Sequence, residues 1–66
     1  MQVETASMLR CCQRAYVIGD DDLRSSARSV QSYMMHRIMD PLIDLPQELE
    51  SPARRVIQAA MEADDG

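Results

Sequence analysis

Two short stretches punctuate the chain and set what it can fold into: Gly19-Asp20-Asp21-Asp22 and Asp40-Pro41. Glycine commonly follows the last turn of a helix, and an aspartate directly after it can cap a second helix by accepting hydrogen bonds from free backbone N–H groups. Proline disfavours helical geometry in the residue before it. On either side of the first mark the apolar residues keep helical spacing. Met8, Leu9, Cys12, Ala15 and Tyr16 line one face of a helix predicted over about 4–18. Leu23, Ala27, Val30, Met34 and Ile38 recur at steps of four, three, four and four along a second, predicted over 21–39. A connection this short makes the two helices antiparallel neighbours.

Residues 40–51, with two prolines and with Leu42, Ile43, Leu45 and Leu49 among them, are too apolar for a free linker and read as a connection folded back on the hairpin. Ser51 and Pro52 supply a cap and a first-turn proline for a last helix over 52–63, with Val56, Ile57, Ala60 and Met61 as its stripe. Leu45, Leu49, Pro52, Val56 and Ala60 also keep helical spacing, so a start near Pro46 is the alternative. The expected fold is all-α, a single domain over 1–66 made of an antiparallel helical hairpin and a short C-terminal helix.

A chain of 66 residues buries only about 60% of its unfolded surface and usually needs a staple. Cys11 and Cys12 are adjacent and cannot tie two elements together. A metal, unusually good helix packing and a second subunit are the other devices, and the segment from Tyr33 to Leu45 points to the last. Eight of its thirteen residues are apolar. Met35 and Met39 fall off the core stripe at 100° per residue, on the side that Arg24 and Arg28 occupy two turns earlier. Arg24, Arg28, Tyr33, Met35, Met39, Leu42 and Ile43 are therefore the candidate interface residues, because methionine, arginine and aromatic residues are enriched where proteins meet. Two-fold self-association is the simplest way to cover such a face, and a homodimer is expected.

Charge narrows the function. Eleven acids face seven arginines and no lysine, for a net charge of −4, which argues against direct binding of nucleic acid. The acids are clumped at Asp20, Asp21 and Asp22 and again at Glu62, Asp64 and Asp65. Helix-end chemistry and solubility account for such clumps, and the same charges suit a basic partner surface. No apolar run reaches the roughly 18 residues of a membrane span. The absence of a secretory-type apolar segment near the N-terminus, together with a single pair of thiols, points to the cytoplasm.

No catalytic or metal signature emerges. His36 and Asp40 stand four apart but lack further ligands at converging positions, and Cys11-Cys12 lacks the spacing of a zinc knuckle. The arginines around Ser25, Ser26 and Ser29 could attract a kinase, but a solvated helix face is the preferred reading of those serines. With two glycines there is no phosphate-binding loop. Neither cofactor nor enzymatic activity is expected. In size, acidity and helical make-up the chain is similar to small regulators such as phage-encoded anti-activators and other inhibitors of host proteins, a likeness of composition that rests on no motif. The reading is a non-catalytic protein-binding regulator that docks on a basic surface of another protein, for instance the DNA-binding face of a transcription regulator. The alternative is a structural or assembly subunit of a larger helical complex.

Overall fold

A computed structural model describes residues 1–64, for Asp64 the backbone only. The element order is β1 (Gln2–Glu4), α1 (Thr5–Ile18), α2 (Asp21–Met35), β2 (Leu42–Asp44) and α3 (Gln47–Asp64). The three helices pack on one another in a body of 30 × 20 × 16 Å.

The hairpin forms as its punctuation dictates. α1 ends with the Gly19 N–H donating to the Ala15 carbonyl at 2.9 Å. Gly19 is extended, at φ −86° and ψ 165°, so it is not a left-handed cap. Space is the reason for glycine here: a Cβ would lie 2.6 Å from the Ala15 carbonyl oxygen and 2.5 and 2.7 Å from Leu23 Cδ2 and Cβ. Asp20 then caps α2, its Oδ1 accepting from the Leu23 N–H at 3.0 Å. Asp21 and Asp22 occupy the first turn, where carboxylates favour the positive helix end.

Three expectations need correction. The chain is mostly helical but not purely so, because Gln2–Glu4 and Leu42–Asp44 pair as an antiparallel two-stranded sheet with Val3 opposite Ile43. α2 stops at Met35 rather than Met39. Residues 36–40 continue instead as tight turns, with Arg37 N–H to Met34 C=O at 2.8 Å and Asp40 N–H to Arg37 C=O at 3.0 Å. Pro41 bars a helical Asp40, and the tighter turns bring Leu42 alongside β1. The third helix starts at Gln47, near the alternative start, and runs through Pro52, whose missing N–H leaves one backbone bond unmade six residues in.

The core holds Val3, Met8, Cys12, Ala15, Ala27, Val30, Met34, Ile43, Leu45, Ala53, Val56 and Ala60. Four of these are alanines, and small side chains let the helix backbones approach closely. Period-two alternation explains the strands: Val3 and Ile43 turn inward while Gln2, Glu4, Leu42 and Asp44 face out. Ile43, expected at an interface, is therefore a core residue at 2% exposure. Ile38 and Met61, expected in core stripes, are exposed, since Ile38 now sits beyond the end of α2.

Candidate functional site

Where α1 begins, the Thr5 hydroxyl donates to the Asp40 carbonyl and the Thr5 N–H donates to the Pro41 carbonyl at 3.0 Å. These two bonds hold the 36–41 turn against the first turn of α1. Between them lies a groove of about 640 Å³ lined by Glu4, Thr5, Ala6, Leu9, Ile38, Met39, Asp40, Pro41 and Leu42. Ile38 and Leu42 are half exposed, and Met39 at 91% is the most exposed large apolar side chain of the chain's described part. Apolar area of this kind, left in water by three elements at once, is the usual mark of an interaction surface.

Met35 lies on a flank next to this groove. Helical spacing sets Met35 on the same flank of α2 as Arg24 and Arg28, and Leu9 on the same flank of α1 as Tyr16. Those flanks meet: Arg24 Nε donates to the Tyr16 carbonyl at 2.9 Å and Arg28 Nη2 to its hydroxyl at 3.2 Å, with both guanidinium groups over the ring at 5.5 and 5.8 Å. The two arginines thus fasten α1 to α2, a role the sequence did not reveal because Tyr16 is eight and twelve residues away from them. Tyr33 is likewise engaged, its ring 4.0 Å beneath the Arg37 guanidinium. Of the residues expected at an interface, Met39 and Leu42 line the groove, Met35 flanks it, Arg24, Arg28 and Tyr33 make internal contacts, and Ile43 is buried.

One helix length away, roughly 21 Å for the 14 residues of α1, lies the opposite end. α3 runs toward it, so that Asp20, Asp22, Leu23, Arg55, Gln58, Ala59 and Glu62 share one shallow hollow. Glu62, forty residues beyond Asp22 in sequence, therefore shares one surface with Asp20 and Asp22, with Arg55 among them. Asp64 and Asp65 belong to the second clump by sequence; the side chain of the first and the whole of the second lie outside the described residues.

The two thiols differ in burial, Cys11 being partly exposed. Cys12 is buried, and that burial, reinforced by Cys11 beside it, pushes its pKa up to about 11. A thiol held protonated is a poor nucleophile and a poor metal ligand. Among the described residues no three His, Cys, Asp or Glu groups converge as a metal site would require, and no helix is long and apolar enough to cross a membrane. No protein-family model, curated protein or solved structure matches the chain.

Proposed function

We propose that this protein is a non-catalytic binding regulator, an inhibitor or anti-activator that docks on a basic surface of a partner protein, such as the DNA-binding face of a transcription regulator. The observation that carries the reading is the convergence of Asp20, Asp22 and Glu62 on one end of the molecule. Asp20 and Asp22 also serve the start of α2, and Arg55 lines the same hollow, but the surplus of negative charge there raises the rate of encounter with an oppositely charged surface. The apolar groove at the other end supplies the area that holds a complex once it has formed. Homodimerisation through that groove is the alternative use of its apolar area.

The test uses the partner captured from the native cell and measures association and dissociation rates at two salt concentrations. The variant Asp20→Asn/Asp22→Asn/Glu62→Gln removes three carboxylates and takes the net charge from −4 to −1. Asparagine caps a helix as well as aspartate, so the fold is retained. The association rate should fall in the variant and with added salt, by about tenfold or more, while dissociation changes little. An association rate insensitive to both removes the electrostatic docking role.

A further inference from the structure

We infer that the groove between α1 and the 38–42 turn is the seat of a basic amphipathic helix, contributed by the partner protein of the docking reading on which this inference rests. Four apolar side chains, Ala6, Leu9, Ile38 and Leu42, line it, and Met39 stands at its edge with 91% of its surface in water. The charged residues of the lining are Glu4 and Asp40, both acids and both exposed. An apolar floor with a negative rim complements a helix that carries leucine-like residues at i, i+3, i+4 and i+7 and lysines or arginines beside them. Methionine adapts its shape to such a face at little cost, and Met35 extends the surface on one side.

The same lining disfavours the other occupants. A volume of about 640 Å³ would admit a small molecule, yet such ligands are oriented by convergent polar groups, and the Thr5 hydroxyl is already committed to the Asp40 carbonyl. A second copy, net charge −4, would bring another Glu4 and Asp40 to a rim that already holds two acids. Like charges set against each other across an interface oppose association.

The experiment titrates the full chain with three labelled 18-residue peptides and reads fluorescence anisotropy: a Leu/Lys helix with the spacing above, a Leu/Glu helix of the same spacing, and a Leu/Lys peptide of identical composition in strict alternation. The Leu/Lys helix should bind saturably at one per chain, and the Leu/Glu helix at least about tenfold more weakly. Met39→Gln/Leu42→Gln should lower the affinity for the Leu/Lys helix about tenfold or more, both side chains being exposed enough to replace without disturbing the core, with circular dichroism confirming the fold. Glu4→Gln/Asp40→Asn should weaken binding at low salt more than at high salt. The acid-end variant Asp20→Asn/Asp22→Asn/Glu62→Gln, altered a helix length away, should leave this affinity within about twofold. Equal binding of the Lys and Glu helices overturns the inference, as does preference for the alternating peptide, which would indicate strand addition. So does a chain of about 15 kDa by light scattering that Met39→Gln/Leu42→Gln converts to monomer, since a second copy would then fill the groove. Loss of peptide binding in the acid-end variant alone also overturns it, while leaving the acidic docking role standing.

Discussion

Replacing Gly19 by alanine tests whether crowding, rather than backbone freedom, is what fixes glycine in the hairpin turn. At φ −86° and ψ 165° an alanine is conformationally comfortable, and Gly→Ala at such a site stabilises by about 0.4–1 kcal/mol through the unfolded chain. Against this stands the new methyl group, 2.6 Å from the Ala15 carbonyl oxygen and 2.7 Å from Leu23 Cβ. The 2.5 Å approach to Leu23 Cδ2 can be relieved by a rotamer change, but the other two require movement of backbone. Overpacking of this kind costs about 1–3 kcal/mol. The net expectation is a loss of about 1–2 kcal/mol, which for a domain this small lowers Tm by roughly 5–15 °C. Urea denaturation followed by circular dichroism measures it, and a double-mutant cycle with Leu23→Ala apportions it. Leu23→Ala should recover little of the loss, because it removes only the Cδ2 contact and leaves both the Cβ at position 23 and the Ala15 carbonyl in the way. A Gly19→Ala protein as stable as the parent, or more so, would refute the crowding argument and leave this glycine without a structural reason.

Two further outcomes follow from the same elements. Asp20→Ala should destabilise by about 1 kcal/mol while Asp20→Asn stays near the parent, a contrast read in urea midpoints, because only the cap at Leu23 N–H is lost. Stability should decline as pH rises from about 9 to 11: the folded state holds the Cys12 proton more tightly than the unfolded thiol at 9.0, so its contribution is complete below pH 9 and lost as the folded thiol ionises, and Cys12→Ala should flatten that slope.

The hairpin was legible in the sequence because its signals are local. Gly19, Asp20 and the heptad-like apolar positions act within one or two turns of chain, and α1 and the start of α2 fall where they were expected. Met8 and Met34 are core residues, as their stripe positions indicated. The strands were not legible, since each has three residues and its partner lies forty positions away, Val3 against Ile43. Without that pairing nothing marked Ile43 as inward, and nothing required α2 to stop before Ile38. The start of α3 was ambiguous because Ser51-Pro52 imitates a helix beginning while the stripe through Leu49 and Val56 ignores it; the helix runs unbroken from Gln47 through Pro52. At the site, the exposure of Met39 and Leu42 could be read from the surplus of apolar residues. The groove beside them, the Tyr16 clamp and the placing of Glu62 beside Asp20 and Asp22 arise from how three helices stack, which periodicity along one helix does not contain.

The pairing of β1 with β2 also bears on the order in which the molecule assembles. Closing forty residues of free chain carries an entropic penalty of about 3 kcal/mol, and a strand pair this short cannot offset it unaided. α1 and α2, joined by the short Gly19-Asp20 connection, can form before it and bring the two strands within reach. The sheet then acts as a clasp fastened last and, by the same balance, opened first. When it opens, Thr5 lets go of Asp40 and Pro41, and the turn bearing Ile38, Met39 and Leu42 is released while the acidic end stays in place. Opening of the clasp therefore acts on one pole, and the shape of the groove depends on whether the clasp is shut.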